Sequence, residues 1–212
     1  MRLDDEGNIH YQGEFETYEG RFLPHWDVED GIYFVTFRLA DSLPREVRRR
    51  MSDHYTDRVR HFTETMEPDP RELAQYAFSL YREDIDPVMD SGYGACHLRR
   101  PDVAKVVRDS LLHFDGERYE LFVWVIMPNH VHVVFRRRPE YSLKRVVGGW
   151  KSFTAHELRG VVDYEEHFWQ ADYYDHLIRT EQEFRNTCRY VWRNPENAGL
   201  EDWGWRGIER SG

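Results

Sequence analysis

Apolar positions along the chain follow two periods, one near two residues and one near three and a half, and their order predicts the fold. Gly31-Ile-Tyr-Phe-Val-Thr-Phe-Arg-Leu39 is aromatic and β-branched and is bounded by acidic residues and by Asp41-Ser42, which predicts a strand. Leu43 to about Met66 has helical spacing but is largely polar. Pro68-Asp69-Pro70 breaks it, Arg71 to about Glu83 resumes it, and Gly92-Tyr93-Gly94 predicts a loop. Apolar content over this stretch is thin, so it reads as a helical insertion (about 42–97) and not as a second domain.

A helix is expected from Pro101-Asp102, since proline at the first helical position and an acid in the first turn both suit a helix start. Its inward face carries Val103, Val106, Val107, Leu111 and Leu112, and it stops near Asp115-Gly116. Tyr119–Ile126 and His130–Phe135 are two apolar runs joined by Met127-Pro128-Asn129, a tight hairpin connection. Ser142 to about Leu158 is helical, with Leu143, Val146, Val147, Trp150 and Phe153 at core spacing. A fourth strand follows from about Ala171 to Ile178. The last helix opens with the capping box Thr180-Glu-Gln-Glu183 and should end at Asn194-Pro195, because proline disfavours a helical residue before it. Without the insertion the order is β-α-β-β-α-β with a trailing helix. That predicts an α+β, ferredoxin-like antiparallel sheet whose first and third strands are central. The expected divisions are an acidic N-terminal extension (1–30), one domain (31–200) and a C-terminal tail (201–212).

Composition narrows the function classes. Over 212 residues, 40% apolar and 15% aromatic content indicate a globular domain with a substantial core. No apolar run is long enough for a membrane span, the first residues lack the apolar core of a signal peptide, and two cysteines (Cys96, Cys188) outside any CxxC make a disulfide framework or zinc knuckle unexpected. The cytoplasm is the expected compartment. A net charge of −10 argues against indiscriminate attraction to nucleic acid, yet the charge is uneven. Residues 1–30 are acidic, whereas Arg99 to Arg159 is net basic. Arg136, Arg137, Arg138, Lys144, Arg145 and Lys151 are therefore candidate contacts to a phosphate backbone, against the plainer alternative of solvated surface charge.

The chemistry centres on His130-Val131-His132. Side chains two apart on a strand share a face, so both imidazoles project together while Val131, Val133 and Phe135 face the opposite core. Two such imidazoles form half a metal site, or else two sheet histidines satisfied by neighbours. On the final helix Tyr190 and Asn194 lie one turn apart on the same flank. The Asn194 carbonyl would complete an N,N,O set suited to Mg²⁺ or Mn²⁺, and Tyr190 could attack a phosphorus atom as a covalent nucleophile. A histidine-triad hydrolase is excluded because position 134 is Val134.

Three motifs carry a family resemblance. Trp124-Val-Ile-Met-Pro-Asn-His-Val-His-Val-Val-Phe135 resembles the metal-binding motif of HUH endonucleases. Phe168-Trp-Gln-Ala-Asp-Tyr-Tyr-Asp-His-Leu-Ile-Arg179 and Tyr190-Val-Trp-Arg-Asn-Pro-Glu-Asn-Ala-Gly-Leu200 resemble the downstream signatures of single-tyrosine, insertion-sequence-200-like transposases, nearest the REP-associated branch. The resemblance implies metal-dependent cleavage of single-stranded DNA near hairpins of REP-like palindromes. Tyr190 would form a 5′-phosphotyrosine, with His130, His132 and Asn194 as ligands of Mg²⁺ or Mn²⁺, in a monomer or homodimer. The alternative is a hairpin-binding regulator that no longer transposes, and a ferredoxin-like module that binds nucleic acid without chemistry would not explain the paired histidines.

Overall fold

The structure, a computed structural model, describes residues 3–11, 16–19 and 24–209. Its elements in chain order are β1 (Glu16–Glu19), β2 (Pro24–Asp27), β3 (Ile32–Arg38), α1 (Arg45–Met66), α2 (Pro70–Leu80), α3 (Asp86–Asp90), α4 (Pro101–His113), β4 (Tyr119–Ile126), β5 (His130–Arg137), α5 (Leu143–Glu157), β6 (Tyr174–Leu177), α6 (Glu181–Asn197) and β7 (Arg206–Ile208). A π-helical turn (Tyr81–Ile85) joins α2 to α3. β1 and β2 pair with each other, and the remaining five strands form one antiparallel sheet in the order β6-β3-β5-β4-β7. Its first four strands have the expected ferredoxin-like order, with β3 and β5 inside the sheet.

The register assigns each residue to a face. Thr36 lies opposite His132 and Arg38 opposite His130, so β3 and β5 present these four side chains together. The other face carries Tyr33, Val35, Phe37, Val131, Val133 and Phe135, packed under α4 and α5 through Val103, Val107, Leu111, Val147 and Trp150. The histidine face is also covered. Phe34, Val125, Val134, Ile178 and Val191 form a second cluster there beneath α6. Leu43, Tyr55, Ala77, Leu80, Tyr81 and Met89 give the helical insertion a small core of its own, with Tyr174 packed against it. The thin apolar content noted along residues 42–97 is thus concentrated on one inward face.

Several expected boundaries shift. Regular strand pairing in the fourth core strand is confined to Tyr174–Leu177, with Gln170 and Ile178 joined to β3 through single backbone bonds. The last helix runs through Pro195 to Asn197 instead of stopping at it. A proline there forgoes only the hydrogen bond its own nitrogen would donate. Asn194 and Pro195 are both buried, and Ala198 and Leu200 still donate to their carbonyls at 3.0 and 2.8 Å. The capping box forms by half: the Glu183 amide donates to Thr180 Oγ1 at 3.0 Å, but the Glu183 carboxylate reaches back to the Arg179 amide and His176, each at 2.7 Å. Residues 206–208, inside the expected tail, add β7 beside β4. Residues 3–11 lie against the start of α6, where Ile9 N donates to Arg179 O at 2.8 Å; the rest of the acidic extension lies partly outside the described residues.

Candidate functional site

His130 and His132 are fully buried, and their Nε2 atoms face each other at 3.0 Å. The hydrogen-bond network assigns the His130 tautomer. Asn129 Nδ2 donates to the Met89 and Tyr93 carbonyls at 3.1 and 3.0 Å, so Asn129 Oδ1, 2.8 Å from His130 Nδ1, must accept. His130 therefore carries its proton on Nδ1 and directs the Nε2 lone pair into the site. His132 Nδ1 lies 2.7 Å from Thr36 Oγ1, and its ring stacks on Phe34 with centroids 5.3 Å apart. Burial holds the His130 pKa down at about 3 and that of His132 well below the usual range, so both rings are neutral.

Helix α6 lays Tyr190 and Asn194 over this pair. The Tyr190 ring packs edge-on against His132, with centroids 5.6 Å apart. Asn194 is fully buried. Its Nδ2 is 3.3 Å from Tyr190 Oη, and its Oδ1 is buried without a hydrogen-bond partner among the described residues. The four residues singled out from sequence for chemistry, Tyr190, His130, His132 and Asn194, are thus brought together.

The helical insertion supplies what sequence reasoning missed. Tyr190 Oη donates to Asp86 Oδ2 at 2.5 Å, and the Arg82 guanidinium lies 4.0 Å from the centre of the Tyr190 ring. Asp86 is 3% exposed and its Oδ1 has no hydrogen-bond partner among the described residues. Burial pushes its carboxyl up to about 7, against the lowering effect of the Tyr190 hydroxyl. One turn on, Asp90 Oδ1 is likewise unpartnered and lies 3.7 Å from His130 Nε2, with its carboxyl pushed up by burial to about 6. Burial, and secondarily the Asp86 charge, raises the Tyr190 phenol above its usual range. A π-helical turn, a backbone irregularity frequent at functional sites, immediately precedes Asp86. The sequence cue available was an acid beside Pro87 at a helix start; its approach to Tyr190 depends on packing between distant elements.

The donor set fits a divalent cation. Two cis ligands about 2.1 Å from an octahedral ion are about 3.0 Å apart, which is the separation of the two Nε2 atoms. Two buried oxygens nearby, on Asn194 and Asp90, lack a donor among the described residues, as expected where a cation would satisfy them. Among the described residues no three His, Cys, Asp or Glu side chains by themselves form a cation cage.

Residues 101–194 match the IS200-like transposase family. This stretch of the chain is similar to an IS200-like transposase domain. This match spans α4 to the turn of α6 that bears Asn194, and therefore includes both histidines and Tyr190. Among solved structures, a REP-associated tyrosine transposase bound to a REP hairpin is similar, with 17% identity, 89% of this chain and 81% of that chain covered, and a TM-score of 0.47. None of the curated proteins matches the chain. No helix among the described residues is long and apolar enough to cross a membrane.

The basic residues of the matched stretch do not gather beside its histidines as expected. Arg136 and Arg137 end β5, six and seven residues from His130 along the strand, or about 20 Å at 3.4 Å per residue. Arg136 pairs with Glu120 at 3.0 Å. Arg137 is a correction to the expected phosphate contacts: it is buried, and its Nε forms an ion pair with Asp27 at 2.5 Å. Asp27 also accepts from the Leu143 amide at 3.0 Å, so this pair fastens the sheet to the start of α5. Arg138 is half-buried beyond it. Lys144 and Arg145 are exposed on α5, which covers the opposite face of the sheet, and Lys151 is half-buried and donates to Ala171 O at 2.5 Å. The cations nearest the histidines and Tyr190 are instead Arg38, across from His130, and Arg82.

Proposed function

We propose that this chain is a metal-dependent, single-tyrosine DNA transesterase that cuts single-stranded DNA beside hairpins, with REP-like palindromes as its substrate class. The observation that carries this reading is the convergence of Tyr190 on the His130–His132 pair within one chain. His130, His132 and Asn194 are the residues suited to hold Mg²⁺ or Mn²⁺. Such a cation would draw charge from a phosphate oxygen and make phosphorus more electrophilic.

The protein's own groups do the rest. The Asn129 and Thr36 contacts hold the two imidazoles in orientation, and burial keeps them unprotonated. The exposed Arg82, stacked on the Tyr190 face, can pair with the scissile phosphate and bring it to the phenol. Tyr190 Oη attacks phosphorus, the bond to the 3′ oxygen breaks, and a 5′-phosphotyrosine and a free 3′-hydroxyl result. Reversal by a 3′-hydroxyl rejoins strands. Because nucleophile and histidines come from the same chain, one protomer suffices. The intact cluster favours chemistry over a purely regulatory role, since a hairpin-binding regulator has no need of a neutral, oriented histidine pair.

The test is cleavage of an end-labelled hairpin carrying a single-stranded flank. Cleavage of the flank with Mg²⁺ or Mn²⁺, lost in EDTA and absent on the fully paired duplex, is the expected result. Hairpin binding with no cleavage under any cation would replace this reading with the regulator.

A further inference from the structure

We infer that Asp86, delivered by the helical insertion, is the proton acceptor for Tyr190 in strand cleavage and its proton donor in strand rejoining. This rests on the reading of Tyr190 as nucleophile. Among the described residues the Tyr190 hydroxyl has one strong acceptor, Asp86 Oδ2 at 2.5 Å; the other close group, Asn194 Nδ2 at 3.3 Å, is a donor and cannot take a proton. Neither histidine is hydrogen-bonded to the phenol: their Nδ1 atoms meet Asn129 and Thr36, and their Nε2 atoms face each other. Asp86 is nine-tenths buried or more, its second oxygen is unpartnered, and no lysine or arginine forms a salt bridge with it among the described residues. A structural carboxylate would be satisfied by donors on both oxygens. This one keeps a vacant oxygen and a short bond to the reacting atom.

The step balances. As the Tyr190 Oη–P bond forms and the P–O3′ bond breaks, the phenol proton passes to Asp86 Oδ2 and the departing 3′ oxygen takes a proton from water. In rejoining, a 3′-hydroxyl attacks phosphorus and gives its proton to water. The Tyr190–phosphorus bond breaks, and Asp86 returns the proton to the phenolate. By microscopic reversibility the group that helps one direction helps the other. This gives the insertion a chemical role: its π-helical turn and short α3 carry Asp86 onto the nucleophile, while Arg82, one turn earlier, stacks on the ring.

The experiment measures single-turnover adduct formation and rejoining for the wild type, Asp86→Asn and Tyr190→Phe, each with tyrosine and with a more acidic fluorinated tyrosine at position 190 where a tyrosine is kept. Asp86→Asn retains size and an acceptor oxygen but takes no proton. We expect both rates to fall about 100-fold together, hairpin affinity and the final adduct fraction to stay within about twofold, and the fluorinated phenol to recover most of the loss. Equal rates in Asp86→Asn and wild type, with Tyr190→Phe inactive, overturn the role of Asp86 alone. A loss that the acidic phenol does not recover, or one accompanied by weaker hairpin binding, overturns it in favour of a packing role. Adduct formation by Tyr190→Phe overturns the nucleophile itself. Thermal melting of Asp86→Asn at the wild-type temperature or above excludes misfolding as the source of a rate loss.

Discussion

Asn129 Oδ1 accepts from His130 Nδ1 at 2.8 Å, and this contact decides which His130 nitrogen is free to bind a cation. Asn129 is itself locked by donating to two carbonyls, one of them Met89 O in the helical insertion. Replacing Asn129 with Leu leaves the ring without its acceptor, so the proton can settle on Nε2 instead. Outer partners of metal-binding histidines are typically worth about 10- to 100-fold in affinity. Calorimetric titration with Mn²⁺ should find Asn129→Leu weaker by that range, with the same single site. Unchanged affinity would detach Asn129 from the site.

His132 is as much part of the core as of the site. On sequence grounds its face pointed away from the core, but the ring is fully buried, stacked on Phe34 and bonded to Thr36. His132→Ala should therefore abolish cleavage and also cost about 3 kcal/mol in urea unfolding, from the cavity and from the Thr36 hydroxyl left unpaired. A variant as stable as wild type would mean that the helix α6 layer collapses readily onto the gap.

Arg137 and Lys144 separate by mechanism. Removing Arg137 strands a buried Asp27 carboxylate, so Arg137→Met should lower unfolding stability by about 3–5 kcal/mol. Lys144→Ala should leave stability unchanged. If α5 meets DNA, the same change reduces the salt slope of binding by about one. A hairpin affinity unmoved by Lys144→Ala and Arg145→Ala, but reduced by Arg82→Ala, would assign the backbone track to the insertion side.

Metal-free stability carries a pH signature from Asp86. Its carboxyl ionises at about 7 in the fold, against about 4 in the unfolded chain, so the folded state holds the extra proton between those values. Wild-type stability contributed by the protonated form is full below pH 4 and is lost as pH rises to 7. Asp86→Asn does not titrate. The melting temperature of Asp86→Asn minus wild type, measured in EDTA, should climb from pH 4 to pH 7 and then level off. A flat difference would mean that Asp86 is solvated and ionised throughout.

Much of this was legible in the residues, for physical reasons that differ by element. Strand order follows from the β-α-β-β-α-β succession of elements, the pairing of His130 with His132 from period-two alternation, and the juxtaposition of Tyr190 and Asn194 from one helical turn. Asn194-Pro195 misled about the helix end because burial of both residues outweighs the local preference of the residue before proline. Arg136-Arg137-Arg138 read as a surface patch because charge runs usually are. Alternation instead sends Arg137 to the packed face, where Asp27, far away in sequence, meets it. Asp86 had no periodic signal at all. Its position is set by how the insertion docks on the sheet, which depends on contacts among Leu43, Tyr55, Leu80 and Tyr81.

In the proposed reaction Tyr190 forms a covalent bond to DNA. The most direct measurement is to trap the protein with a hairpin oligonucleotide carrying a single-stranded flank and Mg²⁺, digest the complex, and locate the nucleotide-bearing peptide by mass spectrometry. A 5′-phosphate on Tyr190, absent from Tyr190→Phe and from EDTA-treated samples, is the predicted result. Modification of another residue, or cleavage to free 5′-phosphate with no linked peptide, would contradict the account.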